Sequence, residues 1–270
     1  MIGEKNYNTR PSNELGVIEK EKGKNVEIVL HIMRHGDRDL DGNLRDYGRE
    51  RTEKYAGFSH LKEEEFDIVK AIGSNAGPTA EVDGEKMQRS LETAHIFAKN
   101  ISDNKNYKTR SRGLLSYEGL RSSLPYDHKK VYDSYIDEYV KNTLLIDEGI
   151  NGFKDLSKEK KEAAASFADN KTVAHFMAMD TPQAKQLKRE IAGSFAVLIE
   201  RFAKMAREKL QSNQKILYPV GSHTGMMELL LSEAMVRTDD DGKKIVGGAL
   251  DDFGGSFSPS EGFRCADKNK

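Results

Sequence analysis

Val26-Glu27-Ile28-Val29-Leu30-His31-Ile32-Met33 runs directly into Arg34-His35-Gly36. The run is mostly apolar and β-branched, the pattern of a strand covered on both faces in a parallel sheet. A second short run, Ile216-Leu217-Tyr218-Pro219-Val220, ends the same way at Gly221-Ser222-His223, and Met226 to Met235 then reads as an apolar helix. Both histidines therefore fall where a strand gives way to a loop. In open α/β sheets ligands bind beyond the carboxyl ends of strands, so histidines from distant sequence can meet at one site.

Between the two strands the chain reads mainly as helix. Gln88 to Asn100 places Leu91, Ala94, His95 and Ala98 at helical spacing and leaves Arg89 in the first turn. Thr181-Pro182 is a helix start, a capping hydroxyl followed by proline at the first helical position. Leu187, Ile191, Phe195, Leu198, Phe202 and Met205 continue it as a long amphipathic helix to about Leu210. Asp240-Asp241-Gly242 carries the signal of a tight hairpin. These elements predict an α/β fold, a three-layer sandwich with a mostly parallel sheet flanked by helices. Residues 25–270 are expected as its domain, with a mainly helical insertion over the site at about 104–180 and a disordered or extended segment at 1–24.

The 270 residues suffice for a full core. Lysine and arginine number 43 against 44 acidic residues, a formal charge of -1, which speaks against a global nucleic-acid or anionic-membrane partner. Met1 to Lys24 lacks the apolar stretch of a secretory signal and no later run reaches membrane-spanning length, so the expectation is a cytoplasmic protein without a membrane partner. The single cysteine, Cys265, makes an intrachain disulfide impossible. Lys158-Glu159-Lys160-Lys161-Glu162 reads as a solvated helix face. Asp37-Arg38-Asp39-Leu40-Asp41-Gly42 matches the first half of a calcium-binding loop, but Gly48 stands where the closing glutamate belongs and a strand precedes it, so no metal is expected there. His31 and His35 could share a strand face, yet a metal would occupy the lone pair that a nucleophile needs, and no third ligand accompanies them. His60, His95, His128 and His175 read as helix or loop residues.

A neutral imidazole can attack phosphorus and split one hard transfer into two easier ones. Nearby arginines disfavour the imidazolium and bind phosphoryl oxygens with their planar forks. Arg34 adjoins His35, Arg38 follows three residues later, and Arg89 opens a helix, whose free amides favour an anion.

Four pieces, in order, resemble the histidine phosphatase superfamily, the phosphoglycerate-mutase-like proteins. They are the strand with Arg34-His35-Gly36, the segment Leu44-Arg45-Asp46-Tyr47-Gly48, the helix start Met87-Gln88-Arg89-Ser90-Leu91-Glu92-Thr93-Ala94, and Ser222-His223-Thr224-Gly225. The resemblance spans about Val26 to Met235 and implies His35 as nucleophile, with Arg34, Arg89 and His223 binding and polarising the phosphoryl group. Arg38 is similar to an extra arginine of the acid-phosphatase branch and joins the expected phosphate ligands. The chain departs from the family at Gly84-Glu85, where many relatives carry a serine pair, and at Thr224, where the acid-phosphatase branch has its aspartate. Asp37-Arg38 likewise differs from the pair that often follows the motif in mutases. With no acid after His223, the proton for the leaving oxygen is expected from the insertion, where Glu118 loosely resembles the family's acid and Asp127 or Glu138 could also reach. The expected function is hydrolysis of a phosphomonoester, from a small molecule or a phosphoprotein, through a phosphohistidine and without a cofactor. A mutase-like phosphotransferase, and a catalytically silent phosphate-ligand binding or regulatory domain, are the alternatives.

Overall fold

The computed structural model describes residues 22–74, 79–102, 107–112, 124–144, 152–223, 225–234, 236–238, 241–248 and 257–268. In chain order, β1 (Glu27–Arg34) leads into α1 (Asp46–Phe58), β2 (Ile68–Ser74) and a hairpin of β3 (Thr79–Val82) and β4 (Glu85–Gln88). Then come α2 (Arg89–Ile101), β5 (Tyr107–Arg112), α3 (His128–Leu144), α4 (Lys158–Ala178) and α5 (Pro182–Lys209). The chain closes with β6 (Lys215–Ser222), α6 (Met226–Ala234), the hairpin of β7 (Val236–Thr238) and β8 (Lys244–Val246), and β9 (Gly262–Lys268).

The central sheet has the order β5-β2-β6-β1-β9. Its first four strands run parallel, and β9 closes the edge antiparallel to β1. Strand alternation divides the apolar residues of β1 between two layers. Ile28, Leu30 and Ile32 face Phe195, Phe202, Ala203 and Ala206 of α5 with Met227 and Leu230 of α6. Val29 and Met33 face Ala56 of α1 and Ala94, Phe97 and Ala98 of α2. This is the mostly parallel α/β arrangement that the two apolar runs predict, with helices on both faces.

Helix starts follow their local chemistry. Thr181 caps α5, its hydroxyl accepting from the amide of Ala184 at 3.3 Å with Pro182 in the first turn. Gln88 caps α2 by accepting from the amide of Ser90 at 2.8 Å, which leaves Arg89 as the first helical residue. The Asp-Gly signal is realised as the β7-β8 hairpin, with Gly242 at φ 78°. β5 lies in a stretch that reads as helical. Its Tyr-Lys-Thr-Arg-Ser-Arg sequence lacks an apolar run because it is an edge strand, paired on one side with β2. Downstream, Leu124 with Val173 and Phe176 of α4 packs on Ala184 and Ile191 of α5 and on Met226 and Leu229 of α6. Among the described residues no helix is long and apolar enough to cross a membrane.

Glycines bring α2 onto the sheet. A Cβ on Gly221 of β6 would lie 1.8 Å from the Ser90 carbonyl oxygen, and one on Gly73 of β2 would lie 2.3 Å from the Leu91 amide nitrogen. The first turn of α2 therefore rests against bare strand backbone, which fixes Arg89 close to the strand ends.

His31 shows how burial shapes this core. Its ring stacks on Phe97 and Tyr55 at centroid distances of 4.6 and 5.9 Å, and neither nitrogen has a hydrogen-bond partner among the described residues. Burial first, then the positive fields of His60 and Arg264, lowers its pKa from 6.5 to about 4. The unfolded chain thus takes up this proton at a pH where the folded chain refuses it. The stabilisation is complete above 6.5 and is lost as pH falls towards about 4. By pH 5 the loss is about 2 kcal/mol. Urea unfolding of wild type and His31→Phe should accordingly show a stability gap that shifts by about that amount in favour of the variant between pH 7.5 and pH 5. A gap independent of pH would mean that His31 is not held neutral.

Candidate active site

The register of β1 and β6 assembles the site. Arg34 pairs with Ser222, so the residues that follow, His35 and His223, leave adjacent strands side by side. The His35 amide donates to the Ser222 carbonyl at 3.0 Å, and the two imidazoles meet edge to face at a centroid distance of 5.3 Å. Both are buried, at 7% and 4% exposure.

Two contacts fix the tautomer of His35. Its Nδ1 lies 2.8 Å from the carbonyl oxygen of Gly36, an acceptor only, so Nδ1 carries the proton. Its Nε2 faces the Nε–H of Arg89 at 3.2 Å, a donor only, so Nε2 carries the lone pair. Burial, followed by the charges of Arg89, His223 and Arg34, holds the imidazole pKa well below 6.5, against a smaller opposing effect of the Gly36 carbonyl. His35 is therefore a neutral imidazole whose unprotonated Nε2 faces a guanidinium.

The surrounding glycines and Thr93 hold this geometry. Thr93 donates from its hydroxyl to the Arg89 carbonyl at 2.8 Å and accepts from the Gly36 amide at 3.0 Å, tying the first turn of α2 to the loop after β1. A Cβ on Gly36 would meet the Gly48 carbonyl oxygen at 2.9 Å, and one on Gly48 would meet the Asp37 carbonyl oxygen at 2.6 Å, so α1 packs backbone to backbone against the same loop. Gly42 turns that loop back at φ 87°, and its carbonyl accepts from Arg89 Nη1 at 3.1 Å. The calcium-like stretch is thus a tight turn that positions an arginine.

Arg34 is 5% exposed and donates from Nη1 to the Phe257 carbonyl at 2.7 Å. Its field reaches Glu228 of α6, a carboxyl pushed up by burial and pulled back by, among other contacts, the Arg34 charge and the Gly225 amide, which donates at 2.8 Å. Arg38 lies in the wall of the same cavity, and its Nη2 is 2.6 Å from Asp169 of α4. Arg45, also from the loop after β1, reaches Glu162 of α4 at 2.7 Å. The two ion pairs bring α4 over His35 as a roof, enclosing a cavity of about 250 Å³.

His35, Arg34, Arg89 and His223 therefore converge, with Arg38 at the cavity wall. Glu118 and Thr224 lie outside the described residues. Neither Asp127 nor Glu138 lines the cavity; among the described residues its carboxylates are Asp37, Asp39, Glu159, Glu162 and Asp169. Glu228, Glu162 and Asp169 were not legible as site residues, because each lies within an ordinary helical pattern and meets its arginine only through the tertiary fold.

No family model matches the chain, and no curated protein matches it. Solved structures give loose overlaps. The product of an open reading frame of Mycobacterium tuberculosis is 14% identical, covering 84% of this chain and 98% of its own at a TM-score of 0.30. A mycobacterial glucosyl-3-phosphoglycerate phosphatase is 12% identical, covering 76% and 77% at a TM-score of 0.28. A protein described as mycobacterial hydrolase 1 is 12% identical, covering 76% and 79% at a TM-score of 0.27. Overlaps this loose leave the chemistry to rest on the geometry of the site.

Proposed function

We propose that the protein is a phosphatase that hydrolyses a phosphomonoester through a phosphohistidine on His35. The observation that carries this reading is the His35 ring itself, which is neutral and tautomerically fixed with Nε2 beside Arg89. In the first step the Nε2 lone pair forms a bond to phosphorus while the bond from phosphorus to the ester oxygen breaks. The departing oxygen takes a proton from an acid, for which Glu118 is the candidate that the sequence offers. Arg89, Arg34 and His223 bind the non-bridging oxygens, where charge develops, and Arg38 joins them on release from Asp169. In the second step water attacks phosphorus, the bond to Nε2 breaks, and the acid group recovers its proton.

An aryl phosphate is the simplest test, because its leaving group needs little protonation. Purified protein should release inorganic phosphate from nitrophenyl phosphate in repeated turnovers. Binding of phosphate without any turnover would favour the silent ligand-binding domain.

A further inference from the structure

Beside the cavity over His35 lies a second chamber of about 460 Å³, and Asp39, Arg45, Tyr47, Glu159 and Glu162 line both. Building on the phosphatase reading, we propose that this chamber receives the alcohol portion of the substrate and selects a sugar phosphate over an alkyl phosphate or a bisphosphate.

Three features of the chamber point to that chemistry. The first is Glu162, whose side chain is 3% exposed and whose Oε2 is 2.7 Å from Arg45 Nη1. Its Oε1 is buried and has no hydrogen-bond donor among the described residues. A carboxylate oxygen only accepts, so Oε1 lacks the donor that a ligand hydroxyl would supply. A sugar hydroxyl supplies one and a hydrocarbon chain does not. The second is Tyr47, 59% exposed on the wall common to both chambers. An exposed aromatic ring beside hydrogen-bonding groups suits a ligand with an apolar ring face and polar edges.

The third is charge. Among the described residues that line the second chamber, Asp39, Asp46, Glu159 and Glu162 outnumber the cations Arg45, Arg49 and Lys158. Two of those cations are already engaged, Arg45 by Glu162 and Arg49 by Glu92 and Asp46 at 2.6 and 2.7 Å. A second phosphate would enter a field of its own sign, whereas hydroxyls meet acceptors.

The test compares kcat/KM for glucose phosphorylated on its primary hydroxyl, hexyl phosphate, a hexose bisphosphate and nitrophenyl phosphate. The glucose ester should exceed the hexyl ester by about tenfold to a hundredfold, the effect of a charge-assisted hydrogen bond with its buried acceptor, and should exceed the bisphosphate as well. That ratio should fall towards unity in Glu162→Ala. Tyr47→Ala, an exposed position whose replacement spares the fold, should lower it independently. Equal or better use of the hexyl ester, preference for the bisphosphate, or a ratio untouched by both variants would overturn the assignment of the chamber. Turnover of nitrophenyl phosphate without any sugar preference sinks this inference alone, whereas no turnover of any ester sinks the phosphatase reading with it.

Discussion

His35→Ala is expected to lower turnover of nitrophenyl phosphate by about 10⁴- to 10⁶-fold, the range for removing a covalent nucleophile. No other group described in the cavity offers a neutral nitrogen with its lone pair fixed against a guanidinium. His223 is its neighbour at 5.3 Å between ring centroids, but His35 is the ring whose two nitrogens are assigned by a carbonyl on one side and Arg89 on the other. The fold should survive the change. His35 lies beyond the end of β1, and its backbone bond to Ser222 does not depend on the side chain. Unfolding midpoints should thus remain close while turnover collapses. A variant that keeps wild-type turnover would remove His35 from the chemistry.

Arg89→Ala is expected to cost about 10²- to 10³-fold in kcat, the range for losing one preorganised donor to a developing anion. It should also change the response to pH. Arg89 is the largest charge effect, after burial, holding the His35 pKa down, so its removal lets His35 take up a proton at higher pH. The acid limb of kcat/KM should move upward, with a greater loss at pH 6 than at pH 8. Arg89→Lys keeps the charge and should leave that limb near its wild-type position, yet it loses the planar fork and should recover only part of kcat. Arg89 also donates to the Gly42 carbonyl, so thermal unfolding must accompany the kinetics. A rate loss matched by general unfolding, with an unmoved acid limb, would make Arg89 structural.

The sequence reveals the centre of this protein better than its edges. β1 and β6 are buried on both faces, so their apolar runs carry enough signal to be read without the fold, and each run delivers its histidine to the same sheet edge. Thr181-Pro182 marks its helix through a local hydrogen bond and a fixed φ, which need no tertiary context. β5 is different, because an edge strand tolerates polar side chains and leaves no apolar run. The roof is harder still. Glu162 sits in a run of lysines and glutamates that reads as a solvated face, but it is 6% exposed because α4 lies across the cavity and Arg45 rises to meet it. Glu228 is hidden likewise in an apolar helix, and its relation to Arg34 exists only because α6 follows the strand beside β1. Thr93 and the glycines at 73 and 221 were visible as letters; their roles, tying and seating α2, follow from distances that no sequence pattern encodes.

Covalent trapping tests the central claim most directly. Protein mixed with a labelled phosphomonoester should be denatured during turnover without acid, which would cleave a bond between phosphorus and nitrogen, and the labelled peptide then sequenced. Label on His35, absent from His35→Ala and chased into free phosphate by water, is the expected result. Label on another residue, or a phosphohistidine that persists in water and discharges mainly to an added phosphoglycerate, would contradict a His35 phosphatase.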